Sequence, residues 1–191
     1  MIDNNKAVLG AIGENVVISK LLEHGWVAFN VNSTIKNFKS IDLVCIRMEE
    51  GTWKHKSVLV QVKTLKRHKP NAKLNFPTGF DIFSSKDKTY LDVNIKGPYV
   101  FVVANPSETG YIFEYYILSR NQMKELLYES NKWYISWERE NPIKEKGVTA
   151  GLLLHWIEGY GDKAVKGRME FVNPLAKHKS CKDNWNNIEN E

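Results

Sequence analysis

Cysteine is scarce in this chain, and long apolar runs are missing. Its 191 residues include two cysteines, Cys45 and Cys181, too few for a disulfide framework or a four-thiolate zinc site. No stretch approaches the roughly 18 uninterrupted apolar residues that a membrane span needs, and residues 1–15 lack the charged-then-apolar pattern of a signal sequence. We therefore expect a soluble, cytoplasmic protein that has no membrane partner.

Acidic residues are absent from residues 51–80, although the whole chain carries 22 of them. The same segment holds seven basic residues: Lys54, Lys56, Lys63, Lys66, Arg67, Lys69 and Lys73. Of the 27 basic residues in the chain, the other 20 face 22 acidic ones, so the net charge of +5 originates in this segment. A local cationic patch favours a polyanion, most often nucleic acid. A lysine-rich solvated loop is the alternative, and the charge pattern leaves both open.

The spacing of apolar residues predicts an α/β fold. Residues 7–24 have the period of an amphipathic helix, with Gly25 as its stop. Strands are predicted at residues 27–32, 41–47 and 57–66, and we expect these three to form a meander. Two more strands, at 99–105 and 110–118, precede a helix that Ser119 can cap. This order predicts a sheet with helices packed on it.

One domain is expected from a chain of this length with 42% hydrophobic residues. We place its core at about residues 7–130 and treat residues 131–191 as a C-terminal extension of unclear role. Residues 67–96 keep no steady period, because proline and glycine interrupt them, and only a short helix from Ser84 or Ser85 is indicated there.

Residues 58–64, VLVQVKT, read as a strand with two polar side chains on one side. Alternation places Gln61 and Lys63 on that side, about 6 to 7 Å apart. Burying an amide and a lysine in so apolar a strand is costly unless polar groups meet them. Asp42, at the start of the preceding strand, and Glu14, in the apolar helix, supply carboxylates. Oxygen ligands of this kind suit a magnesium ion, which usually keeps several waters.

Glu14 in GAIGEN, Asp42 in SIDLVCI and Gln61-x-Lys63 in LVQVKT together resemble the PD-(D/E)XK nuclease superfamily. The resemblance covers roughly residues 7 to 105 and implies a restriction-endonuclease-like fold: an α-β-β-β-α-β core with a mixed sheet flanked by helices, here with C-terminal additions. Gln61 stands where that superfamily usually has an acid, in a Q-x-K variant similar to Mrr-like members. A neutral amide is a weaker ligand than a carboxylate, so we expect weaker metal binding.

The resemblance implies a metal-dependent endonuclease that hydrolyses DNA phosphodiester bonds in restriction, defence, repair or mobile-element processing. It implies Mg²⁺ or Mn²⁺ as cofactor and Glu14, Asp42, Gln61 and Lys63 as catalytic residues, of which Asp42, Gln61 and Glu14 would hold the metal. DNA backbone contacts are expected from Lys66, Arg67, Lys69 and Lys73, which continue directly beyond the third strand. A homodimer would allow both DNA strands to be cut.

Two other functions remain open on the sequence. A non-catalytic member of the same fold could bind nucleic acid or a protein, having lost turnover with the third-strand acid. An α/β interaction protein could use its basic loop to meet an acidic partner. Ordinary structural roles also exist for the motif residues, since glutamate often lies on an exposed helix face and aspartate often caps a turn. A polar edge strand is less compatible with Val58 to Val62.

Overall fold

The computed structural model describes residues 4–31, 41–49, 51–52, 54–136, 148–164, 169–178 and 180–189. It confirms the predicted α/β class, with a mixed five-stranded sheet flanked by helices. The helices are α1 (Asn4–Glu23), α2 (Lys88–Asn94), α3 (Arg120–Ser136) and the single turn α4 (Leu154–Ile157). The strands are β1 (Val27–Asn30), β2 (Leu43–Met48), β3 (His55–Lys66), β4 (Asn75–Asp81), β5 (Tyr99–Ser107), β6 (Gly110–Leu118) and β7 (Thr149–Leu153). No helix of these residues combines the length and the apolar character needed to cross a bilayer.

The main sheet has the strand order β1-β2-β3-β5-β6. Strands β1, β2 and β3 form the expected antiparallel meander, β5 runs parallel to β3, and β6 is antiparallel to β5. The parallel step requires a crossover, and the chain between β3 and β5 supplies it with β4 and α2. Strand β4 pairs with β7 in a separate two-stranded sheet, which the sequence pattern did not predict.

Apolar residues pack on both faces of the main sheet. Strand β3 turns Val58, Val60 and Val62 toward α1, where they meet Val17 and Leu21. The opposite face packs against α2, α3 and the β4–β7 sheet, with Phe101 and Leu118 among its buried residues. Full burial of each such side chain stabilises the fold by about 1.5 to 3 kcal/mol.

Residues beyond 130 complete both cores. Trp156 and Leu175 are buried in the core that α3 covers, and Trp185 is buried beside α1. The ring of Trp185 lies 5.5 Å from that of Tyr115 and stacks on His24 at 5.4 Å. The C-terminal segment therefore acts as a cover for the sheet in the structure.

The start of α3 shows how local sequence sets an element boundary. Ser119 Oγ accepts a hydrogen bond from the Gln122 backbone N–H at 3.3 Å, while Gln122 Oε1 accepts from the Ser119 backbone N–H at 3.0 Å. This reciprocal capping satisfies two amide groups that the helix itself leaves unpaired. The predicted cap at Ser119 is therefore confirmed.

Helix α1 approaches β3 most closely at Gly13. A Cβ at this position would lie 1.8 Å from Thr64 Oγ1, whereas a Cβ on Gly10 would meet nothing within 4 Å. Glycine is thus required at residue 13 by contact with β3, while residue 10 is free to carry a side chain.

We expect Gly13→Ala to lower the free energy of unfolding by about 1 to 3 kcal/mol, because α1 must move away from β3. Gly10→Ala is the matched control and should raise it by roughly 0.5 to 1 kcal/mol, since alanine restricts the unfolded chain and favours helix. Urea titrations of the two variants measure both effects. Equal effects would show that the Gly13 contact does not limit helix packing.

Candidate functional site

The structure brings Asp42 and Gln61 into direct contact. Asp42 precedes β2, and Gln61 lies one residue beyond Val60, the residue of β3 that pairs with Leu43. The side-chain amide N–H of Gln61 donates to Asp42 Oδ2, which also accepts the Val62 backbone N–H at 2.8 Å. Both polar side chains are buried, at 8% exposure for Asp42 and 6% for Gln61. The buried side-chain amide of Gln61 thus has the Asp42 carboxylate as its hydrogen-bond partner.

Among the residues that the structure describes, this contact lies at an edge of the sheet where β3 has no strand partner on one side. Within the described part of the chain, β3 pairs with β2 only up to Val60, whereas its pairing with β5 runs from Gln61 to Lys66. The backbone N–H of Val62 points to the side on which β2 no longer pairs with β3. It donates there to the Asp42 carboxylate rather than to a carbonyl of a neighbouring strand. Asp42 therefore holds the position at which two neighbouring strands separate.

Lys63 lies two residues beyond Gln61, on the same side of β3 and half-buried. Among the residues that the structure describes, none forms a hydrogen bond or an ion pair with its ammonium group. A lysine tethered beside a carboxylate–amide pair is placed to donate hydrogen bonds to an anion at this edge.

Glu14 approaches this edge from α1, on the opposite face of the sheet from Gln61 and Lys63. The side-chain amide of Asn30, the last residue of β1, donates a hydrogen bond to Glu14 Oε2. Asn30 pairs with Leu43 across the strands, and the Val31 backbone N–H donates to the Asp42 carbonyl at 2.9 Å. Glu14 is therefore linked to the Asp42 region through Asn30 and the pairing of β1 with β2.

Tyr99 is a neighbour of the site that the sequence did not suggest. It begins β5, pairs with Gln61 in the parallel register and is 4% exposed. Burial raises the pKa of its phenol well above the ordinary value, and the nearby Asp42 carboxylate raises the pKa further. The phenol therefore keeps its proton at neutral pH and can act only through a neutral O–H. In the sequence, Tyr99 is marked by its position directly after Gly97 and Pro98, at the start of a predicted strand.

The donors at this edge fit a weakly held, hydrated magnesium ion. Asp42 and Glu14 offer carboxylates and Gln61 an amide oxygen, all hard ligands of the type Mg²⁺ prefers, and one or two carboxylates suffice when most waters remain. Gln61 presents its amide nitrogen to Asp42, so its carbonyl would face a shared ion only after half a turn of the amide. The described residues include no group of three or more His, Cys, Asp or Glu side chains arranged to hold a metal.

Of the four predicted DNA contacts, Arg67 has the most structural role. Its guanidinium donates to Asn105 Oδ1 at 2.8 Å and to Glu114 Oε2 at 3.2 Å, which ties the end of β3 to β5 and β6. Lys69 and Lys73 are exposed in the turn that follows β3. The Lys66 ammonium lies 5.6 Å from the ring centre of Tyr111. These three lysines remain predicted DNA contacts.

Neither a scan against protein-family models nor a search of the curated proteins finds a match for this sequence.

We expect Gln61→Glu to destabilise the metal-free protein by about 2 to 3 kcal/mol at pH 7, because a buried carboxylate would replace the donor that Asp42 accepts from. The pair would share a proton, with its folded pKa above the unfolded value near 4. The variant should therefore recover stability as the pH falls through that raised pKa.

Millimolar Mg²⁺ should also stabilise Gln61→Glu more than the native protein, since an ion offsets the added charge. Urea unfolding with EDTA or with Mg²⁺ measures both effects. Gln122→Glu adds the same charge at a site where only the side-chain oxygen accepts a bond, so it serves as the control and should not respond to Mg²⁺. A lack of Mg²⁺ response in both variants would count against a metal site at this edge.

Proposed function

We propose that this chain is a metal-dependent DNA endonuclease of restriction-endonuclease-like fold. The observation that carries the proposal is the buried contact of Asp42 with Gln61 at the open edge of β3, with Lys63 on the same strand side. Support also comes from the element order, α1, a three-strand meander, β4, α2 and β5, which follows the order that the resemblance implies apart from the inserted β4.

Each residue has a defined part in phosphodiester hydrolysis. Asp42 and Gln61, with Glu14 from α1, would hold Mg²⁺ or Mn²⁺, which when bound polarises the phosphate and lowers the pKa of a coordinated water. Lys63 donates hydrogen bonds to the attacking water or to the charge that develops on the phosphate. Asn30 orients the Glu14 carboxylate, and Tyr99 lies near Asp42 as a neutral phenol.

DNA is held chiefly through its backbone in this proposal. The exposed Lys69 and Lys73, together with Lys66, extend the cationic segment beyond the site. Lysine–phosphate contacts of this type are independent of base sequence and weaken steeply with salt. One site cuts one strand, so a homodimer is proposed for double-strand cleavage. In this proposal the cutting serves restriction, defence, repair or mobile-element processing of DNA in the cytoplasm.

A non-catalytic nucleic-acid-binding protein of the same fold is the second candidate. The observation that favours it is the hydrogen bond between Gln61 and Asp42, which pairs the buried amide N–H with a carboxylate oxygen without an ion. Loss of the third-strand acid would then have left a stable but inert pair.

Supercoiled plasmid incubated with Mn²⁺, with Mg²⁺ and with EDTA separates the candidates. An endonuclease converts the plasmid to open circles with metal and leaves it intact with EDTA. A binder retards the plasmid in a gel without divalent metal and never cuts it, which would overturn the catalytic proposal. A protein that neither cuts nor retards DNA would be an interaction module.

A further inference from the structure

A cleft of about 380 Å³ opens between the first half of α1, the C-terminal end of β3 and the N-terminal end of β6. We call it the α1 cleft, and its walls are formed by Lys6, Val8, Leu9, Ile12, Lys66, His68 and Tyr111. None of these residues belongs to the Asp42–Gln61 pair. The cleft is therefore separate from the candidate site.

The two sides of the α1 cleft differ in chemistry. Helix α1 contributes an aliphatic wall, in which Val8 is 57% exposed. Opposite it lies the aromatic ring of Tyr111, with the Lys66 ammonium 5.6 Å from the ring centre and His68 beyond the end of β3. An exposed aliphatic surface facing an aromatic ring beside positive charge suits a flat, apolar group attached to an anion.

An unpaired nucleotide has this combination. A base can stack on the Tyr111 ring and lie against Val8 and Leu9, while its phosphate approaches Lys66 and His68. Base–aromatic stacking contributes about 1 to 3 kcal/mol. The exposed cation–π contact that Lys66 would give up contributes only about 0.5 to 1 kcal/mol, and the lysine gains a phosphate in return. Duplex DNA cannot place a base in so small a cleft, because the bases of a duplex are stacked inside the double helix.

The α1 cleft adjoins the candidate site along β3. Lys66 follows Lys63 by three residues, which corresponds to about 10 Å of strand, and alternation turns its side chain to the α1 face, opposite to that of Lys63. Ile12 precedes Glu14 by two residues on α1. The α1 cleft and Lys63 thus lie on opposite faces of the sheet, and a DNA strand whose phosphate lies near Lys63 would pass around the edge of β3 to place a base in the cleft, a path that a flexible single strand can span in a few nucleotides.

We propose that the α1 cleft binds an unpaired base, and that the substrate class is DNA with a single-stranded segment next to the cut, such as an overhang or a flap. The substrate class rests on the proposed nuclease function; the binding of an unpaired base does not. Tyr111 is the stacking platform, Val8 and Leu9 form the opposite wall, and Lys66 contacts the phosphate.

Fluorescence anisotropy with labelled oligothymidylate and a duplex of equal length, both in EDTA, tests the binding step. We expect Tyr111→Ala to weaken binding of the single strand roughly 5- to 100-fold and binding of the duplex less than about twofold. Tyr111→Phe should bind like the native protein, because the ring is kept. Tyr128→Ala is the matched control. The Lys88 ammonium lies 4.9 Å from the ring centre of Tyr128, but Tyr128 is outside the α1 cleft.

A second pair of variants keeps the test valid if Tyr111→Ala unfolds. Val8→Glu places a carboxylate at an exposed position in the cleft and should weaken single-strand binding to a similar extent. Leu22→Glu, at 54% exposure on the same helix but away from the cleft, should not. Equal losses for single strand and duplex, or no loss in the cleft variants, would overturn the proposal.

The outcomes also separate this inference from the proposed function. Tyr111-dependent binding of single strands without metal-dependent cutting of either a supercoiled plasmid or a duplex that carries a single-stranded flap would retain the α1 cleft and refute the nuclease. Metal-dependent cutting without Tyr111-dependent single-strand binding would support the nuclease and refute base binding in the α1 cleft.

Discussion

Asp42→Asn should abolish metal-dependent plasmid nicking, by a factor on the order of 10³ or more, while leaving the fold intact. The substitution removes the negative charge that the proposed ion needs and retains the size of the side chain. The hydrogen bonds that the Gln61 side chain and the Val62 backbone donate to Asp42 end on the same oxygen. The carbonyl oxygen of asparagine can accept both, so neither of these two donors need lose its partner.

Initial rates of open-circle formation with Mn²⁺ measure the loss, and urea unfolding checks the fold. Asp42→Ala is a poorer choice, because it would leave the Gln61 and Val62 donors buried and unpaired at a cost of about 1 to 3 kcal/mol each. Cleavage that survives Asp42→Asn would mean that the activity comes from another site or from a contaminant.

Lys63→Ala should lower the nicking rate by roughly 10² to 10³-fold and change the Kd for DNA by less than about twofold. The reason is that Lys63 lies beside the Asp42–Gln61 pair and makes no bond within the described chain, so its ammonium is free to act on the reacting phosphate. One contact among several backbone contacts contributes little to affinity, but a charge beside the transition state contributes strongly to rate.

Lys73→Ala is the matched control for Lys63→Ala. It removes an exposed lysine beyond β3, and we expect weaker DNA binding with a salt dependence reduced by about one counterion. The rate at saturating DNA should be preserved. Single-turnover nicking and gel-shift titrations at several salt concentrations separate the two effects. If Lys63→Ala lost affinity as much as rate, Lys63 would be a backbone contact rather than a catalytic residue.

Local sequence pattern was enough to predict the scaffold of the site. β-branched runs and their spacing predicted β2, β3 and β5, and helical spacing predicted α1. Alternation along VLVQVKT placed Gln61 and Lys63 on one side of β3, because the period of a strand does not depend on its surroundings. The need of a buried amide for a partner then pointed to Asp42, which the structure places against Gln61.

Contacts between distant segments could not be predicted in the same way. β4 and β7 are about 70 residues apart, each is short, and proline or glycine interrupts β4; its pairing with β7 depends on the core beneath them. The partners of Arg67 on β5 and β6 likewise come from different strands. A local pattern states which face of an element is apolar, but it does not state what will cover that face.

Spacing along the chain thus predicted which side chains lie on the same face of a strand or on the same side of a helix. It could not tell that Glu14 lies across the sheet from Gln61, that Tyr99 borders Asp42, or that Trp185 returns to cover α1. Those relations were decided by packing, because close-packed interiors favour arrangements in which most buried polar groups and apolar faces find a complement at once.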